Sequence, residues 1–126
     1  MKARARAPNV RTLIYARARV IAASKEEIKI MKESKIEQKF VSDLRRLGCL
    51  VYKFVSPGND GVPDRIVVTP TGRTLYVELK TRRGRLSEIQ SVQLARLTKH
   101  HADVYVLYGE HQTRDFVEMV RREVTG

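Results

Sequence analysis

The sequence has one cysteine, no apolar run long enough to span a bilayer, and no acidic residue in its first 24 positions. Each absence excludes something. The lone thiol, Cys49, has no partner for an internal disulfide, which suits a reducing, intracellular and cytoplasmic setting. Within the apolar run Cys49-Leu50-Val51-Tyr52 it reads as a small buried hydrophobe. A transmembrane helix needs about eighteen or more apolar residues in succession, so no membrane span is expected. The N-terminus also lacks the apolar core of a secretory signal. A length of 126 residues suits one compact domain.

What is present is positive charge. Lysine and arginine total 25 against 14 acidic residues, a formal +11, which favours a polyanionic partner, nucleic acid before an anionic membrane. Residues 1–33 carry +6 of it, with Lys2, Arg4, Arg6, Arg11, Arg17 and Arg19 unopposed by any acid before position 25. This stretch reads as a basic extension that grips phosphates, ahead of a patterned domain over residues 34–126. Two other readings stay open: an Arg-rich, acid-poor transit peptide, or a chain whose true start is Met31.

From Ser34 onward the pattern predicts an α-β-β-β-α-β-α order. Ile36, Phe40, Leu44 and Leu47 recur at helical spacing before Gly48, and Ser34-Lys35-Ile36-Glu37 has the form of a capping box at the helix start. Strands are expected over Cys49–Val55, Asp64–Thr69, Thr74–Lys80 and Ala102–Tyr108, with helices over Ser87–His100 and Thr113–Val124. The fold class is therefore α/β, a mixed four-stranded sheet flanked by helices.

The Asp64–Thr69 and Thr74–Lys80 strands carry the chemistry. A three-residue loop, Pro70-Thr71-Gly72, would close the hairpin at Thr69 and Arg73 and set Asp64 opposite Glu78. Cross-strand Cβ atoms lie about 4.5–5.5 Å apart, so two such carboxylates need a shared proton or a cation between them. A two-residue loop would shift the register by one and part them onto opposite faces. Leu75, Val77 and Leu79 alternate with Tyr76, Glu78 and Lys80, which puts Glu78 and Lys80 on one face beside Asp64. Two acids and a lysine suit Mg²⁺ or Mn²⁺ and a phosphate ester, with the metal activating a water and the lysine orienting it or stabilising charge.

Pro63-Asp64, thirteen intervening residues, then Glu78-Leu79-Lys80 resembles the PD-(D/E)xK signature of restriction-endonuclease-like nucleases. The fuller run Gly61-Val62-Pro63-Asp64-Arg65, Val77-Glu78-Leu79-Lys80 and Leu86-Ser87-x-x-Gln90 is similar to the VRR-NUC family within that class, over about residues 34–110. The resemblance implies a restriction-endonuclease-like single domain in which Asp64 and Glu78 ligate the metal, the Leu79 carbonyl adds a third ligand, and Lys80 is the catalytic lysine. It matches Glu37 to a helix glutamate near the metal, acting through a bound water; the capping box is the other reading of that residue. Gln90 either closes the capping box Ser87-Glu88-Ile89-Gln90 or reaches the active-site edge, as the family's motif glutamine does.

Around this core, Arg82, Arg83 and Arg85 follow the catalytic strand and are expected to hold the phosphate backbone. Gly58 and Gly61, ahead of Asp64, would permit close backbone approach to a substrate. His100, His101 and His111 have no ligand-like partners and read as helix-end and surface groups. The combined expectation is a Mg²⁺- or Mn²⁺-dependent endodeoxyribonuclease without base-specific readout. Stand-alone VRR-NUC proteins are similar to junction resolvases and often occur in phages, which implies branched DNA such as Holliday junctions or flaps, and a homodimer to cut two strands. The alternatives are a catalytically inactive nucleic-acid-binding module of the same fold and an RNA-directed nuclease.

Overall fold

The structure, a computed structural model, describes residues 24–126; the greater part of the expected basic extension lies outside them. Helix α1 runs Lys25–Arg46, with no glycine or proline in its length. Its start corrects the expectation at Ser34. The Ser24 hydroxyl accepts from the Glu27 N–H at 3.1 Å, so the first turn is capped ten residues earlier. Ser34 lies within the helix, its hydroxyl 3.4 Å from Gln38 Nε2, and Glu37 closes no box. The run Ser24-Lys25-Glu26-Glu27 has the same spacing, and nothing after it breaks the helix. The far end closes as a glycine stop: Gly48 has φ +87°, and the Cys49 N–H returns to the Leu44 carbonyl at 3.1 Å.

Four strands follow, β1 (Leu50–Lys53), β2 (Arg65–Val68), β3 (Thr74–Lys80) and β4 (Asp103–Tyr108), with α2 (Glu88–Lys99) and α3 (Gly109–Thr125). The sheet order is β1-β2-β3-β4; the first two pairings are antiparallel and β3–β4 is parallel, bridged by α2. This is the mixed four-stranded sheet expected. β1 is shorter than predicted at both ends, and α3 starts at Gly109 rather than Thr113, because β4 runs into the helix without a loop. Thr113 is buried inside that helix, its hydroxyl donating to the Glu110 carbonyl at 2.7 Å.

The core lies on one face of the sheet. Phe40, Val41 and Leu44 from α1 and Phe116 and Val120 from α3 cover Val51, Val67, Leu75, Val77 and Leu107. Phe116 packs between Phe40 and Tyr105, ring centroids 5.6 and 5.1 Å away. Leu44 is fully buried, and truncating it to alanine would cost roughly 2–5 kcal/mol. Cys49 is buried as expected. Among the described residues no helix is long and apolar enough to cross a membrane.

Candidate active site

The site begins in the hairpin. The Thr69 N–H donates to the Arg73 carbonyl at 2.9 Å, the Gly72 N–H returns to the Thr69 carbonyl at 2.9 Å, and Gly72 has φ +92°. Pro70-Thr71-Gly72 is thus the three-residue loop, and pairing runs Val68↔Thr74, Val67↔Leu75, Ile66↔Tyr76 and Arg65↔Val77. One step further, Asp64 stands opposite Glu78. The two acids meet through backbone: the Asp64 N–H donates to Glu78 Oε2 at 3.0 Å, and the Leu79 N–H donates to Asp64 Oδ2 at 3.3 Å. Asp64 itself lies just ahead of β2, anchored by its carbonyl, which accepts the Phe54 N–H at 2.8 Å.

Glu78 is 3% exposed. Burial pushes its carboxyl up to about 7; the charge of Asp64 adds to the rise, while the Asp64 N–H and the Lys80 ammonium oppose it. Lys80 Nζ lies 3.6 Å from Glu78 Oε1, so the lysine is on the acids' side of β3. A buried acid beside a second acid, with one lysine at its edge, is a site with excess negative charge.

Gln90 resolves its two readings by satisfying both. Its Oε1 accepts the Ser87 N–H at 2.9 Å and its own N–H donates to Ser87 Oγ at 3.2 Å, which completes the capping box of α2. The Nε2 of the same amide donates to Glu78 Oε1 at 2.8 Å. The cap therefore fixes the rotamer that holds the buried acid. Gly61 explains how α2 comes so near: a Cβ there would lie 2.8 Å from the Ile89 carbonyl carbon and oxygen, and φ is +86°. The close approach made by Gly61 is thus to the first turn of α2, and Gly58 faces open space. Gln93, which carried no expectation, donates to the Asp60 carbonyl at 3.2 Å and ties the same loop to α2.

Glu37 lies elsewhere. Its Oε1 accepts from Arg65 Nη2 at 2.9 Å and Nε at 3.3 Å, and among the described residues no group of three acids, histidines or cysteines gathers into a metal cluster. Arg65 is the partner that sequence reasoning missed; strand alternation from Asp64 turns it to the α1 face.

A divalent cation would therefore rely on Asp64, Glu78 and main-chain oxygen. Leu79 occupies the next hydrogen-bonding position of the β2–β3 ladder, after the Thr69–Arg73, Val67–Leu75 and Arg65–Val77 pairs. The residue opposite is Pro63, which has no N–H to give, so the Leu79 carbonyl meets no ladder donor from that side. Two carboxylates and an uncommitted carbonyl are hard oxygen donors that fit Mg²⁺ or Mn²⁺.

Arg82, Arg83 and Arg85 are exposed in the turn after β3, where the Gly84 N–H meets the Thr81 carbonyl at 3.0 Å. None has an ion-pair partner among the described residues. Arg82 lines a cavity of about 580 Å³ with His111 and Arg114. His100 caps α2 through the Arg96 carbonyl, and exposed His111 lies 3.4 Å from Asp115.

Comparison with known proteins agrees with this geometry. The VRR-NUC domain profile matches residues 16–111, starting well ahead of the motifs. A phage protein named "Putative nuclease p44", from Acyrthosiphon pisum secondary endosymbiont phage 1, is 40% identical over 80 residues, covering 64% of this chain and 86% of its own length. A solved structure described as a VRR_NUC domain superimposes with a TM-score of 0.65 at 28% identity, covering 69% of this chain and 95% of that one. With the profile matched over most of its length and the paired acids in register, the chain belongs to the VRR-NUC domain family and is a nuclease.

Proposed function

We propose that this nuclease is a Mg²⁺- or Mn²⁺-dependent endonuclease that hydrolyses DNA phosphodiesters, with branched DNA such as four-way junctions or flaps as its substrate. The observation that carries the reading is the Asp64–Glu78 pair, set by the hairpin register around a buried carboxyl pushed up to about 7. Asp64, Glu78 and the Leu79 carbonyl would hold the ion. When bound, a divalent cation polarises a phosphoryl oxygen and lowers the pKa of an attacking water. Lys80 donates hydrogen bonds to that water or to the phosphate and stabilises the charge that develops there. Gln90 keeps Glu78 oriented; Glu37, its carboxylate held by Arg65 on the α1 face, would reach the ion only through intervening water. Arg82, Arg83 and Arg85 hold flanking phosphates, so binding is weakly dependent on sequence.

Branched DNA is supported by the likeness to stand-alone VRR-NUC proteins. One site cuts one strand, so paired incisions in a junction call for a homodimer working inside the cell. Digestion of labelled single-stranded, duplex, flap and four-way DNA beside RNA, with Mg²⁺ or EDTA, tests the whole reading. Four-way or flap DNA is expected to be cut with Mg²⁺ only, and Asp64→Ala and Lys80→Ala to bind without cutting. Cleavage of RNA alone would replace the substrate. Binding with no cleavage by the unaltered chain would leave a nucleic-acid-binding module.

A further inference from the structure

On the α1 side of the sheet, a cavity of about 800 Å³ opens between α1 and the edge strand β1. Among the described residues four cations line it, Arg45, Arg46, Lys53 and Arg65, against one acid, Glu37. The acid is already engaged by Arg65 at 2.9 Å. The other three cations have little opposing them. The Arg45 guanidinium donates to the Val51 carbonyl at 3.3 Å, a neutral partner that aims it without cancelling its charge. Arg46 reaches Asp43 only at 4.0 Å, with its side chain 79% exposed. Lys53 has no ion-pair partner among the described residues. By contrast Arg73, on the hairpin, and Arg121 and Arg122, on α3, each meet a carboxylate at 3.3 Å or less.

A lone lysine on an edge strand is a common guard against strand-to-strand association. Lys53 is not alone, because Arg65 is its cross-strand partner and two arginines from α1 face the same cavity. Concentrated, uncompensated charge in a concave surface attracts a polyanion. The position is also telling. Arg65 directly follows Asp64 along the chain but points to the opposite face of the sheet, so the groove lies behind the catalytic acid, at the same end of β2. From Ser34 to Arg46 the α1 wall is roughly 18 Å long. At about 3.4 Å of axial rise per phosphate, that length faces about five phosphates of one strand.

We propose that this groove is a second phosphate-backbone site, which grips the duplex flanking the bond that is cut. The proposal rests on the nuclease reading and adds a surface distinct from the Arg82–Arg85 turn. Arg46 and Lys53 are its probes, because both are exposed and neither supports the core.

The experiment compares Arg46→Glu/Lys53→Glu with the unaltered groove, both on an Asp64→Ala background in EDTA, by anisotropy of a labelled duplex over a range of salt. Circular dichroism melts establish that the variants are folded. Losing two phosphate contacts lowers affinity about tenfold or more at moderate salt, and flattens the slope of log K against log salt by about 1.5–2. A control reversal of equal charge off the groove, Lys99→Glu/Arg122→Glu, is expected to move the slope by less than about 0.5. On the cleaving background, hydrolysis of bis(p-nitrophenyl) phosphate is expected to be unchanged by the groove substitutions, since that ester has no flanking backbone. An unaltered slope, or an equal change in the control, overturns the groove while the nuclease reading stands. Failure of the unaltered chain to bind any duplex overturns the groove together with the duplex-flanked DNA substrate, while metal-dependent cleavage of another nucleic acid would keep the nuclease.

Discussion

Gln90 locks Glu78 in place: the amide nitrogen lies 2.8 Å from Glu78 Oε1, while the amide oxygen is held by the Ser87 N–H at 2.9 Å. A side chain pinned at both ends is a positioning residue, and removing such an outer partner typically costs 10–100-fold in metal affinity or rate. Gln90→Leu is expected to lose about that much in Mn²⁺ affinity and in cleavage. Ser87→Ala, which frees only the cap, is expected to lose about 1 kcal/mol of stability and less activity. Mn²⁺ titration and melting of both variants check the ordering; unchanged metal affinity in Gln90→Leu would reduce the amide to a helix cap.

Gly61 sets the distance between the Asp64 loop and α2. An alanine there would meet backbone, which cannot swing aside, in a conformation that disfavours any side chain. Gly61→Ala is expected to lower stability by about 2 kcal/mol or more and to impair cleavage further, as α2 and Gln90 shift. Gly58→Ala shares the positive φ but meets nothing, so it is expected to cost less in both measurements. Equal losses in the two variants would remove the packing argument.

Much of this site was legible because its determinants are local. Pro70-Thr71-Gly72 chose the hairpin register, and a two-residue strand period then put Asp64 across from Glu78 without any tertiary information. The caps of α2, Ser87 and His100, stand where the pattern set its ends. What was hidden depends on distant partners. Two capping boxes ten residues apart look alike in one dimension, and only the unbroken α1 shows that Ser24 is the start. The Arg65–Glu37 pair, the Gly61–Ile89 contact and the Gln93–Asp60 bond join segments that periodicity reads separately.

Glu78 also predicts a pH signature in metal-free buffer. Its carboxyl has an ordinary value near 4.5 when unfolded and about 7 when buried beside Asp64. Because the folded value is raised, the contribution of this group is fully present below about pH 4.5 and is lost as pH rises through about 7. Glu78→Gln cannot ionise, so relative to the unaltered chain it is expected to gain stability progressively from pH 5 to 8. The gain is of the order of 3 kcal/mol at pH 8. Parallel thermal melts with EDTA across that range read the difference, and a flat difference would contradict the burial argument.

The central claim is that Asp64 and Glu78 hold one divalent ion in common, and calorimetric titration of Mn²⁺ into the unaltered chain and into Asp64→Ala, at pH 8 where Glu78 is largely ionised, tests it most directly. The account predicts one site per chain, weakened at least about 100-fold when the Asp64 carboxylate is removed. Equal Mn²⁺ affinity in the two proteins would contradict it.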